Sequence, residues 1–211
     1  MSKIWVILGA GHLIRDLQDA INSRHDILRC IVTNQPLNDA IVAKIQVPII
    51  NLADYHPRSQ DLHLFGFLNP DKERFLKSCH KRFAGLDFQF GNLIHDRAYL
   101  ADVKLGFGNY LGPMSVVAPG TVLGNHNYLN RCASIGHDVV IGDFNHFGPS
   151  SVICGNTQIG NKNYFGANST LIDGKRIEDG ITIGAGGLVR EHLQKSGTYV
   201  GVPAKMLNRE K

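Results

Sequence analysis

Residues 135–171 read IGHDVVIGDFNHFGPSSVICGNTQIGNKNYFGANSTL, and a large apolar residue returns at every sixth position: Ile135, Ile141, Phe147, Ile153, Ile159, Phe165 and Leu171. The beat continues backward through Leu129, Leu123, Val117 and Leu111 to Leu105, and forward through Ile177 and Ile183 to Val189. In a chain that is 43% hydrophobic, fifteen successive hits are not a chance pattern. A period of six fits neither an amphipathic helix nor an ordinary alternating strand. It is an internal repeat whose unit is one short strand and one corner. Gly often follows the apolar residue, as at 106, 112, 124, 136, 142, 148, 160, 166 and 184. Four positions after the apolar residue stands a small residue or Asn, such as Asn109, Ser115, Thr121, Asn127, Asn145 and Ser169. The apolar residue is expected to point inward and the small one to fill the corner, with Gly and Asn accepting the backbone angles that corners require. Three units close one coil of a triangular prism, giving about five coils.

Upstream the pattern changes style. Lys3–Leu8, Ile27–Val32 and Leu64–Leu68 read as short apolar strands, and Ile14–Asn22 has helical spacing. Asn69-Pro70 forms a cap and first turn for a helix over Asp71–Phe83, and Leu86, Phe88 and Phe90 alternate as a strand does. The fold class is therefore mixed. A small α/β domain with a parallel sheet is expected over residues 1–90, and the repeat domain with a short C-terminal tail over 91–211.

Composition narrows the function classes. The chain has 211 residues, 19% of them charged, with a net charge of +4. That is a globular composition, and no apolar run reaches the ~18 residues of a membrane span. The start, MSKIWVILGAG, reads as a first strand and not as a signal peptide. The basic residues are interspersed with acids, so neither a nucleic-acid nor a membrane partner is expected. The four cysteines, at 30, 79, 132 and 154, form no CxxC pair, so buried, reduced thiols in a cytoplasm are the default.

His137 follows Gly136 in the repeat and precedes Asp138. A neutral imidazole is a base near neutral pH, and an adjacent carboxylate holds one ring nitrogen and raises the basicity of the other. His146 lies nine residues on, half a coil away, so one prism cannot easily bring the two histidines together. At the other end, Gly9-Ala10-Gly11-His12 follows a strand and precedes a helix, as a phosphate-binding turn does. Position 14 is Ile and the second strand ends Val32-Thr33-Asn34 with no acid, so NAD is disfavoured. The remaining histidines (25, 56, 63, 80, 95, 126, 192) are expected mostly on the surface or in loops.

The phrases GHDVVIGD, GNTQIGNKNYFGANS, ITIGAGGLV and YVGVPAK, with NLIH at 92–95, resemble the hexapeptide-repeat acyltransferases. More narrowly, the chain is similar to nucleotide-sugar acetyltransferases of the bacillosamine N-acetyltransferase and sialic acid O-acetyltransferase type. The resemblance implies a left-handed parallel β-helix, a Rossmann-like N-terminal domain that binds a nucleotide sugar, and a homotrimer with active sites in its clefts. It implies acetyl-CoA as co-substrate and transfer of its acetyl group to an amino or hydroxyl group of a nucleotide-linked or sialic-type sugar, in bacterial surface-polysaccharide or glycan biosynthesis. In that scheme His137 is the general base and Asp138 its acid partner. His146 meets the acetyl end of the cofactor and the Gly155 N–H is an oxyanion donor. Gly166, Ala167, Gly184 and Ala185 line the CoA path, and Gly11, His12, Thr33 and Asn34 meet the nucleotide sugar.

Two other classes remain. A trimeric sugar-nucleotide-binding scaffold would need no base, and the adjacent His137-Asp138 pair argues against it. A zinc hydratase needs histidines about five apart on one strand edge, whereas His126, His137 and His146 stand eleven and nine apart, so no metal is expected.

Overall fold

The six-residue beat builds a coil. In the computed structural model, which describes residues 2–9, 11, 13–34, 37, 39–43, 45–67 and 72–207, the chain divides into units Met1–Asp96 and Arg97–Lys211. In the second unit most beats are the second residue of a two-residue strand, and strands eighteen residues apart pair in parallel. The result is a parallel β-solenoid with three faces. Face 1 stacks Tyr99–Leu100, Val116–Val117, Ser134–Ile135, Val152–Ile153, Thr170–Leu171 and Leu188–Val189. Face 2 runs from Lys104–Leu105 to Arg176–Ile177. Face 3 includes Tyr110–Leu111, Tyr128–Leu129, His146–Phe147, Tyr164–Phe165 and Ile181–Ile183, and ends on the antiparallel pair Gly197–Val200 and Lys205–Met206.

The register keeps one kind of residue in each interior column: Val117 pairs with Ile135, Ile135 with Ile153, Ile153 with Leu171 and Leu171 with Val189. From Leu111 to Val189 every beat residue is at most 3% exposed. Each such burial contributes about 1.5–3 kcal/mol relative to an exposed side chain. Phe147 and Phe165 stack with centroids 5.0 Å apart.

The corners correct one expectation. Where glycine follows a beat it does not supply the left-handed angle. It gives clearance to the next coil: a Cβ on Gly136 would stand 2.7 Å from the Gly155 nitrogen, and one on Gly166 2.5 Å from the Ala185 nitrogen. The left-handed residue comes two positions later, at every sixth residue from 102 to 186, and most are not glycine. Asp102, Met114, His126, Cys132, Asp138, Phe144 and Lys162 all carry φ between 48° and 61°. Their strain, about 1–2 kcal/mol each, is offset by a hydrogen bond to the coil before. Asp138 N–H donates to Pro119 O at 3.0 Å, and Phe144 N–H to Asn125 O at 2.9 Å. The buried asparagines do similar work between coils. The Asn127 N–H donates to Asn109 Oδ1, the Asn145 N–H to Asn127 Oδ1 and the Asn163 N–H to Asn145 Oδ1, at 2.8–2.9 Å. Cys132, expected buried, is exposed because it occupies a left-handed corner; Cys154 is half-buried, and Cys30 and Cys79 are buried.

The first unit contains an open, wholly parallel five-stranded sheet of order β3-β2-β1-β4-β5, with β1 Ile4–Leu8, β2 Ile27–Thr33, β3 Ile49–Asn51, β4 Asp61–Phe65 and β5 Gln89–Phe90. Helix α1, Ile14–Ser23, buries Ile14, Leu17, Ala20 and Ile21, the stripe its spacing predicts. The short helix α2, Asp39–Val42, and β3 have no counterpart in the sequence reading. Helix α3 spans Lys72–Arg82 and places Cys79 in the core, followed by buried Phe83; Asn69, Pro70 and Asp71 lie outside the described residues. Of the expected strand through Leu86, Phe88 and Phe90, only Gln89–Phe90 pairs. Among the described residues no helix is long and apolar enough to cross a membrane.

Candidate active site

His137 and Asp138 occupy the corner between faces 1 and 2. Asp138 sits at φ 54°, and this left-handed backbone turns its short side chain back onto its neighbour. Its Oδ2 lies 2.8 Å from His137 Nδ1. A carboxylate accepts, so Nδ1 carries the proton and Nε2 presents its lone pair. Gly120, one coil earlier, leaves room for the Asp138 carboxylate: a Cβ there would stand 2.3 Å from Asp138 Oδ1. His137 is cleared in the same way by Gly155, one coil later, where a Cβ would meet Nε2 at 2.6 Å and Cε1 at 2.8 Å. Both side chains of the pair are more than half exposed. An imidazole with its distal nitrogen free, oriented by a carboxylate and open to solvent, can take a proton from an incoming nucleophile.

The other expected residues fall into separate places on the coil. Gly155 joins His137, and its N–H donates to Asp173 Oδ1 at 3.1 Å. Gly166, Ala167, Gly184 and Ala185 share the corner between faces 3 and 1 on consecutive coils. Among the described residues no acceptor meets the Ala167 or Ala185 N–H. His146 lies on face 3, only 8% exposed, in register between Tyr128 and Tyr164. Its ring makes edge contacts with theirs at 5.3 and 4.6 Å. Within this chain, then, the structure brings His137, Asp138 and Gly155 together and leaves His146 on another face.

In the first unit, Gly9 and Gly11 follow β1 and meet Gly66, which follows β4. Gly9 has φ 77°, and its N–H donates to Val32 O at 2.6 Å. The Gly11 N–H donates to Gly66 O at 3.1 Å, so Gly11 contributes clearance and not a free donor. Thr33 closes β2 and Asn34 is exposed beyond it, at the carboxyl end of the sheet. His12 and Ala10 lie outside the described residues.

Three of the histidines in the group expected mostly on the surface or in loops are buried: His63, His95 and His126. His95 bridges Asp19 at 3.2 Å and Asp96 at 2.8 Å. His126 stacks on Phe144 and meets Phe107 edge-on. His63 belongs to a network that sequence reasoning missed. Its Nδ1 donates to Gln89 O at 2.7 Å and its Nε2 meets Tyr55 Oη at 2.8 Å. Buried Asp61 accepts from Arg29 at 2.8 Å and from the Arg58 N–H at 2.9 Å, with Tyr55 Oη 3.1 Å away. Burial pushes the His63 imidazole down to about 4. The sequence signal was the alternation Asp61-Leu62-His63, two polar residues on the inward side of one strand. Among the described residues no three His, Cys, Asp or Glu side chains gather to hold a metal ion.

Residues 138–173 match the family Bacterial transferase hexapeptide (six repeats). No curated protein matches the chain. Solved structures share its fold along nearly its whole length. One is a histidine-to-asparagine variant of perosamine N-acetyltransferase from Caulobacter crescentus, in complex with CoA and GDP-perosamine. Its TM-score is 0.82 at 22% identity, covering 99% of this chain and 98% of that one. The acetyltransferase domain of PglB from Neisseria gonorrhoeae, in complex with acetyl coenzyme A, gives 0.82 at 23% identity, covering 98% and 100%. WeeI from Acinetobacter baumannii gives 0.74 at 20% identity, covering 98% and 100%.

Proposed function

We propose that this chain is an acetyl-CoA-dependent acetyltransferase that modifies an amino group, or a hydroxyl group, of a nucleotide-linked sugar. The observation that carries the reading is the His137–Asp138 pair, with Nδ1 held at 2.8 Å and Nε2 directed over Gly155. The repeat match and the shared fold with two acetyltransferases support it.

In the proposed step, His137 Nε2 takes the proton of the acceptor amine or hydroxyl as its nitrogen or oxygen bonds to the thioester carbon. Asp138 stabilises the imidazolium that forms. The carbonyl oxygen gains charge opposite the Gly155 N–H. Collapse breaks the carbon–sulfur bond, and the CoA thiolate takes the proton back from His137. The Ala167 and Ala185 N–H groups fit the amide carbonyls of CoA along the second corner, where Gly166 and Gly184 keep the surface low.

Four finer elements belong to the same proposal. The β-solenoid is left-handed. The first ninety or so residues form a Rossmann-like domain in which Gly11, Thr33 and Asn34 receive the nucleotide sugar at the carboxyl end of the sheet, where such sheets bind ligands. The protein is a homotrimer with active sites between chains, in which face 3 of one subunit, carrying His146, adjoins the His137 corner of another. It works in the cytoplasm. Thiol release from acetyl-CoA against a panel of nucleotide-linked amino sugars, GDP-perosamine among them, tests the reading. Acceptor-dependent release is expected, and acetyl-CoA that stays intact with every acceptor contradicts it.

A further inference from the structure

Asp173 stands eighteen residues beyond Gly155 and thirty-six beyond His137, so the three share one corner on consecutive coils. The bond from the Gly155 N–H to Asp173 Oδ1 has relatives at the next corner. There Asn125 receives the Phe107 N–H, Asp143 that of Asn125, Asn161 that of Asp143 and Asp179 that of Asn161, at 2.7–3.0 Å. That ladder is continuous and ties coil to coil. At the His137 corner, among the described residues, the bond occurs once, on the amide over which the imidazole lies.

What distinguishes it from a simple tie is the amide that it holds. Asp173, exposed and followed by Gly174 at φ 67° as Asp179 of that ladder is by Gly180 at φ 70°, can turn its side chain to solvent without disturbing the interior. The amide it holds is the one placed opposite a developing oxyanion. A carboxylate and an oxyanion cannot share one N–H, because like charges in contact repel strongly away from bulk water. Cys154 also reports the proximity of that charge: burial first, and Asp173 second, push its thiol upward.

We propose that Asp173 occupies the Gly155 N–H in the free protein and gives it up to the thioester oxygen when acetyl-CoA binds. The inference rests on the acyl-transfer reading above and makes Asp173 a positioning residue that acts through Gly155. It sets the affinity for the acylated cofactor separately from that for CoA, because CoA carries no thioester oxygen to claim the amide.

Calorimetric titration of acetyl-CoA and of CoA into the wild type, Asp173→Ala and Asp173→Asn tests this, with thermal melting to confirm folding. Asp173→Ala is expected to tighten acetyl-CoA by about tenfold to a hundredfold, the worth of one hydrogen bond to a charged acceptor, and to leave CoA unchanged. Asp173→Asn keeps a neutral acceptor and is expected to fall between. Equal shifts for both ligands, no shift, or weaker acetyl-CoA binding would mean a structural tie like those of the next corner, and would overturn the inference alone. A wild type that binds neither ligand overturns the acyl-transfer reading and this inference with it.

Discussion

The imidazole of His137 lies over the backbone of Gly155, so close that a Cβ at position 155 would stand 2.6 Å from Nε2. The obstructing atoms belong to the end of an exposed side chain, which can swing aside. Gly155→Ala is therefore expected to leave the fold intact and to displace the base. A misplacement of about 1 Å in a catalytic group can cost about 10²-fold. Turnover measured beside a thermal melt checks this: activity falls by roughly that factor while the melting temperature stays near that of the wild type.

His63 predicts how the first unit responds to acid. Its imidazole titrates near 4 when folded, against an ordinary value of 6.5, because burial opposes the charged form. Between those values the unfolded chain binds a proton that the native one does not. Stability therefore falls as pH drops from 6.5 towards 4, by about 3 kcal/mol at the lower end. His63→Gln keeps a polar side chain against Tyr55 Oη and Gln89 O but does not titrate, so its stability should depend less on pH in that window. Trp5, the single tryptophan, lies buried in β1 and reports this unit by fluorescence. Equal pH slopes for variant and wild type in denaturant melts would remove His63 from the acid response.

Gly11 tests the proposed acceptor site. A Cβ there would stand 3.2 Å from Gly66 O, a contact a small shift relieves, whereas a branched side chain fills the crevice between the ends of β1 and β4. Gly11→Val is expected to raise the KM of the sugar nucleotide several-fold and leave that of acetyl-CoA unchanged. Steady-state kinetics with each substrate varied in turn decides it, and a rise in the acetyl-CoA KM alone would contradict the assignment.

The position of His146 on face 3, away from the His137 corner, gives a test of the proposed trimer. Subunits inactivated at His137, mixed with subunits inactivated at His146, are expected to recover part of the activity, because some clefts regain both residues. Verified mixed trimers with no recovery, or a monomer in sedimentation, would argue against active sites between chains.

The solenoid was legible because burial repeats: each beat from Leu111 to Val189 lines the interior, and a coil built of six-residue units keeps all of them dry. The corner backbone was not legible. Hydrogen bonds between coils hold whatever residue falls there in the left-handed region, so Phe144 and Lys162 adopt it as Asp138 does. The pairing of His137 with Asp138 could be read because the two are adjacent. The clearance from Gly120 and the grip of Asp173 on Gly155 could not, since both are eighteen-residue relationships that exist only once the register is fixed. In the first unit, β3 and α2 were too short to leave a periodic signal. The buried Asp61 and His63 read as polar interruptions of a strand, because their partners Arg29 and Tyr55 are not their sequence neighbours.

Whether His137 is the base of an acetyl transfer is decided by the turnover of His137→Ala with saturating acetyl-CoA and a nucleotide-linked amino sugar. A loss of about 10²–10⁴-fold is expected, the usual worth of a general base, with CoA affinity nearly unchanged. A variant that retains near wild-type turnover would contradict it.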